Sequence, residues 1–152
     1  MTIDNESLLN LEQDEVAVEE FIVENNGGLV RDDRLEGGGN KAVYWMTLHP
    51  RSAQTEEYIA RIEWFSYPYE PPSIQFAIHI RGSIRDRRAW PKITGYRAAS
   101  FDICRPMSRE GYALHPEWKR GSNAWIADGN PFLWVVQMMH FHINNDYQGR
   151  ST

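Results

Sequence analysis

The sequence predicts an α+β domain: a helix, an antiparallel meander of strands, an irregular span and a closing helix. Three observations predict it. Apolar residues recur at helical spacing near both ends, over 12–25 and 130–143. Two stretches between them, 57–65 and 73–81, alternate with a period of two, as half-buried antiparallel strands do. Joining those stretches is Tyr67-Pro68-Tyr69-Glu70-Pro71-Pro72, whose three prolines remove three backbone donors and fix three φ angles, so it reads as a rigid connection.

Each element follows in order. Over residues 12–25, Leu11, Val18 and Ile22, with Ala17 and Phe21 beside them, form an apolar stripe. Glu15, Glu19, Glu20 and Glu24 face away, and Asn26-Gly27-Gly28 ends the helix. A plain loop with Gly37-Gly38-Gly39 comes next; it lacks the lysine and helix of a phosphate-binding loop. Lys41–His49 reads as a strand. In Glu57–Phe65, Tyr58, Ala60, Ile62 and Trp64 share one face. In Ser73–Arg81, Ile74, Phe76, Ile78 and Ile80 do. Residues 82–130 carry scattered Gly, Pro and charge, and their one apolar run, Ala98–Cys104, is the candidate fourth strand. Asn130 and Pro131 open the last helix as cap and first residue. Phe132, Val135, Val136, Met139 and Ile143 supply its buried stripe, and Asn144-Asn145-Asp146 stops it.

Length and composition predict one domain over 1–152, with 1–10 as a flexible start. No run approaches the ~18 apolar residues of a membrane span. The acidic start, Met1-Thr2-Ile3-Asp4-Asn5-Glu6, is unlike a secretion signal. The single cysteine allows no disulfide within the chain, and together these predict a cytoplasmic protein. Net charge is −5, and residues 1–36 hold 11 of the 21 acidic side chains against two basic ones, Arg31 and Arg34. Such a chain is a poor nucleic-acid binder, although Arg81, Arg85, Arg87, Arg88 and Lys92 form a local basic run.

The element order, with Trp64-x-x-Tyr67-Pro68-x-x-Pro71-Pro72-x-Ile74-x-Phe76, resembles the ubiquitin-conjugating enzyme family. The resemblance spans residues 10–145 and is specific from Tyr58 to Ile80. It implies that family's fold: an N-terminal helix, a four-stranded antiparallel meander, an active-site loop and a C-terminal helix. It further implies that Cys104 is the nucleophile, followed by a tryptophan (Trp118 or Trp125) and then by the helix 130–143. By this resemblance Cys104 carries a ubiquitin-like modifier as a thioester, takes it from an adenylating activating enzyme, and binds no cofactor itself. The chain departs from the family in three ways. Gly82-Ser83-Ile84 stands where the family has His-Pro-Asn, and Pro72 and Cys104 are separated by a basic insertion of about a dozen residues. Nothing in 146–152 corresponds to the family's two further C-terminal helices. The pattern is similar to divergent, minimal members of prokaryotic ubiquitin-like conjugation systems.

The residues themselves leave alternatives open. A thiolate is nucleophilic near neutral pH and leaves well, and Arg105 and Arg109 flank Cys104; a lone cysteine is also a common buried filler. His115 is either a group that deprotonates an incoming amine or a loop histidine bonded to backbone. Asn123 and Asn130 are candidate oxyanion donors, a role worth ~3 kcal/mol, but Asn130 is better explained as a helix cap and Asn123 as a turn residue. Asp128 is a turn residue first and an amine-activating carboxylate second. Arg85, Arg87 and Arg88 are candidates for binding the modifier or its activating enzyme. Trp118, Trp125 and Trp134 read as packing residues, and His140 and His142 face different ways on one helix and make no metal site. A second function class stays in view, an inactive variant of the fold that binds a modifier or scaffolds a complex.

Overall fold

The computed structural model describes residues 3–32 and 42–152. The Gly37–Gly39 loop and Arg34 lie outside the described residues. Helix α1 (Asn5–Glu24) starts seven residues earlier than the apolar spacing predicts. Asp4 caps it: one carboxylate oxygen accepts the Ser7 N–H at 2.8 Å and the other the Ser7 hydroxyl at 2.9 Å. Residues 5–10 therefore belong to the folded unit, and Ile3 is buried. Leu11, Val18 and Ile22 are buried as predicted. Glu15 does not simply face away, since it accepts the Tyr44 hydroxyl at 2.6 Å.

Four antiparallel strands follow, β1 (Gly28–Asp32), β2 (Ala42–Leu48), β3 (Tyr58–Trp64) and β4 (Ser73–Ala77), neighbours in chain order. The strand count matches the sequence reading, but its fourth member does not. β1 pairs along β2 from Gly28↔Thr47 to Asp32↔Val43. Ala98–Cys104 instead supplies only β6 (Asp102–Ile103), which pairs with β5 (Tyr96–Arg97) in a separate two-stranded hairpin. The predicted strand over 73–81 also stops early. Arg81 takes φ of 64°, and the Gly82 N–H bonds the His79 carbonyl at 2.8 Å, so the chain turns after Ala77. That turn brings Ile80 and Ile84 over the outer sheet face, against Val43, Trp45, Ile59 and Ala77.

The other sheet face makes the main core. Tyr44, Met46, Ala60, Ile62, Ile74 and Phe76 meet the buried stripes of α1 and of α3 (Pro131–Asn145). All five residues of the predicted α3 stripe are buried, at 1% exposure or less. Asn130 caps α3 by accepting the Leu133 N–H at 3.0 Å, with Pro131 in the first turn. Trp64 anchors an aromatic cluster, its ring 4.7 Å from Tyr67 and 5.4 Å from Phe132 between centroids. Such pairs add about 1 kcal/mol each beyond their burial, and here they lock strand, proline turn and helix together. Among the described residues no helix is long and apolar enough to cross a membrane.

Candidate functional site

The proline turn is held from three sides. Its Tyr67–Pro68 peptide is cis. The Tyr67 N–H donates to Ser7 Oγ at 3.1 Å, joining the turn to the cap of α1. The Tyr67 hydroxyl donates to Asp14 and accepts the Phe132 N–H at 3.3 Å. Burial, then the bond to Asp14, holds that phenol well above its ordinary range. The Pro68 carbonyl accepts Trp125 Nε1–H at 2.8 Å. The Pro72 carbonyl accepts the N–H of Arg109, the first residue of α2 (Arg109–Leu114), at 2.7 Å. Glu110 of the same helix accepts the Ile74 N–H at 3.1 Å, and burial pushes its carboxyl up.

Cys104 ends the β5–β6 hairpin, its N–H bonded to the Gly95 carbonyl at 2.7 Å. Ile103 points into the core at 0% exposure. Side chains alternate along a strand, so Asp102 and Cys104 lie on the opposite face, where Arg97 faces Asp102. Arg97 forks onto Asp102 at 2.7 and 2.8 Å and interacts electrostatically with Cys104. The thiol is half-buried, and no side chain among the described residues hydrogen-bonds it. The two cations adjacent in sequence are engaged elsewhere. Arg105 donates Nε and Nη2 to the Thr94 carbonyl at 2.9 and 2.7 Å, and Arg109 stacks 4.1 Å over the Phe65 ring. Arg97 is a further cation on this face, which hairpin register supplies and sequence adjacency misses.

The backbone after Cys104 is tightly seated. Ser108 Oγ donates to the Ile103 carbonyl at 2.7 Å and accepts the Gly111 N–H at 2.9 Å. A Cβ at Gly111 would lie 2.1 Å from the Arg105 carbonyl oxygen, so only glycine fits.

A cavity of about 370 Å³ opens between Arg105–Met107, residues 122–126 and the outer edge of α3. Asn123 and Asp128, both exposed, line it together. The Asn123 carbonyl accepts the Tyr112 hydroxyl, while its side-chain amide makes no hydrogen bond among the described residues. Asn130 also lines the cavity, but its amide is spent as cap and on the Asp14 carbonyl at 3.0 Å, which settles the cap reading. His115 is not part of this wall. It caps the C-terminal end of α2, with Nδ1 2.9 Å from Glu117 and its ring stacked 4.1 Å from Trp118. Arg85, Arg87 and Arg88 share a shallow depression with Phe101 on the hairpin that carries Cys104. Arg85 sits 5.5 Å over the Phe101 ring, and Arg88 is forked onto Asp86.

Of the three tryptophans read as packing residues, Trp125 bridges Trp64 and Trp134, and Trp118 stacks on His115. Trp134 is 43% exposed and lines the cavity, so it is only partly a packing residue. The sequence reading assigned no role to His142 or Tyr96. Both are buried, with His142 Nδ1 3.0 Å from the Tyr96 hydroxyl. Burial first, and Arg105 second, push the His142 imidazole down to about 4. A histidine on the wall of a cavity, opposite a tyrosine from another element, has no signal in one-dimensional spacing. His140 faces α1 instead, its ring 5.1 Å from Phe21, so the two histidines do diverge. Among the described residues no three His, Cys, Asp or Glu side chains are gathered to hold a metal ion. No family model, curated protein or solved structure matches the chain.

Proposed function

We propose that this chain has the ubiquitin-conjugating architecture and carries a ubiquitin-like protein on Cys104. The modifier's C-terminal carbonyl arrives as a thioester on an activating enzyme. The Cys104 thiolate adds to that carbonyl carbon, a new C–S bond forms, and the enzyme's thiolate leaves. An acceptor amine then attacks the same carbon, loses a proton, and releases the Cys104 thiolate. ATP is consumed upstream, so the reading asks for no cofactor here.

One observation carries this reading. The proline turn that resembles the family's signature is bonded through the Pro72 carbonyl to α2, directly after the sole cysteine's hairpin. Arg97 adds a cation on the face where Cys104 lies, and Asn123 and Asp128 stand together on the cavity beside it. Arg85, Arg87 and Arg88, seated on the same hairpin, suit an acidic face of the modifier or its activating enzyme.

The inactive reading has an observation of its own: His115 is engaged by Glu117 and Trp118 rather than gathered around Cys104. Loading with the cognate activating enzyme, modifier and ATP separates the two. On a non-reducing gel the carrier gives a thiol-sensitive adduct, Cys104→Ser gives a thiol-resistant ester, and Cys104→Ala gives none. An adduct that persists in Cys104→Ala overturns the carrier reading, and no adduct in the parent leaves the binding module.

A further inference from the structure

The cavity beside the Cys104 segment has a chemical gradient whose apolar middle and far end thioester transfer does not use. Helix α3 forms its long wall, presenting Trp134, Met138 and His142 one turn apart on one face. From Pro131 to His142 that wall runs roughly 16 Å. Asp128 and Asn130 stand at its first end. The middle is apolar: the Trp125 and Trp134 rings lie 6.0 Å apart at 79°, with Met138 beside them. At the far end are His142 and Arg105.

Two donors meet at that far end. Among the described residues the Tyr96 hydroxyl is bonded only to His142 Nδ1, and burial keeps the phenol protonated. The arrangement that satisfies both groups has the hydroxyl donating to Nδ1, which leaves the imidazole proton on Nε2. Nε2 has no partner among the described residues, yet it is not among the sealed, unpartnered atoms of the interior. Arg105 is fixed by its two bonds to the Thr94 carbonyl, and its Nη1 makes none among the described residues. Asp146, the nearby carboxylate, is engaged by the Thr94 N–H at 2.9 Å. An apolar slot that ends on two donors selects a ligand with hydrocarbon and one acceptor oxygen.

We propose that this cavity binds an aryl or branched-alkyl group bearing a carbonyl or carboxylate oxygen. His142 Nε2–H and Arg105 bind the oxygen, and Trp125, Trp134 and Met138 hold the hydrocarbon. The site is independent of the chemistry at Cys104 and persists in Cys104→Ala. The oxygen belongs either to a free small acid or to a peptide carbonyl.

The test follows the indole N–H resonances of Trp125 and Trp134 in ¹⁵N-labelled protein during titration. One probe is 3-phenylpropionate and the other is N-acetylphenylalanine methylamide. Ligands of this size bind with dissociation constants on the order of 1–10 mM. Shifts with the acid alone, weakened about tenfold in Arg105→Gln, support the site and assign a free acid. Shifts with both probes, weakened a few-fold in Arg105→Gln because a neutral carbonyl loses one of its two donors, support the site and assign a peptide carbonyl. Trp134→Ala removes an exposed wall residue and abolishes binding of either probe. Met138→Glu, which places a carboxylate in the slot, does the same should Trp134→Ala unfold. Both resonances unmoved by both probes, or parent-like binding in a folded Trp134→Ala or Met138→Glu variant, overturns the proposal.

Discussion

Tyr67–Pro72 and Gly95–Met107 are joined through α2, yet they are built in opposite ways. The first is consumed by its surroundings: Ser7 and Asp14 of α1, Phe132 of α3, Trp125 and Arg109 all bond to it. The second is tied down by its backbone and by Asp102 and Arg97, and it leaves the Cys104 thiol without a hydrogen bond among the described residues. A fixed frame beside an uncommitted side chain is what a reactive group needs, because the frame sets position and the free valence sets chemistry.

Substitutions in the two regions should therefore separate stability from reactivity. The largest effect is expected at Tyr67→Ala, which empties an aromatic core position and costs about 3–5 kcal/mol. Urea denaturation reads that loss, while alkylation of Cys104 by iodoacetamide in the still-folded protein stays near the parent rate. A collapse of alkylation at unchanged stability would erase the contrast between the regions.

Acid should act on the hairpin side through His142. Its folded-state value, about 4, lies below the ordinary 6.5, so the unfolded chain takes up the proton first. The stability His142 contributes is whole above pH 6.5 and is lost as pH falls from 6.5 to 4, a change of about 3 kcal/mol. His140, pushed down by burial, adds in the same direction, and Glu110, pushed up by burial, opposes it. Urea midpoints measured across this window should fall with acid in the parent and more shallowly in His142→Gln. Equal slopes would remove His142 from the account.

Replacing Pro71 and Pro72 with alanine loosens the unfolded chain and should cost about 1 kcal/mol, with Cys104 alkylation unchanged. The smallest effect is expected at Arg87→Glu with Arg88→Glu. Electrostatic steering acts on association rate and is screened by salt, so loading of Cys104 should slow a few-fold at low salt and recover at high salt. Equal loading at low salt would make those arginines a solvated surface.

The parts of this fold that were legible in the sequence are those where one residue period decides the outcome. Tyr58, Ala60, Ile62 and Trp64 alternate cleanly, and they share the core face of β3. Asn130-Pro131 states the start of α3 in two residues. β1 was missed because Gly28-Leu29-Val30-Arg31-Asp32 is too short and polar to alternate, and its strand character comes from pairing with β2. The first turns of α1 were missed because their cap works through Ser7, a buried polar residue that looks like surface. In the candidate site, the position of Cys104 after the proline turn could be read directly. Arg97 could not, since its partner Asp102 is set by hairpin register. His142 and Tyr96 come from elements distant in the chain, and no local spacing joins them.

Gly111 carries a consequence for how this sequence can drift. An added methyl group there would lie 2.1 Å from the carbonyl of Arg105, so α2 and the strand end that presents Cys104 are fitted with no side chain between them. Position 111 is thus a marker of descent for the site. A homologue that keeps this packing keeps glycine there, and one with any other residue at 111 has carried its cysteine somewhere else.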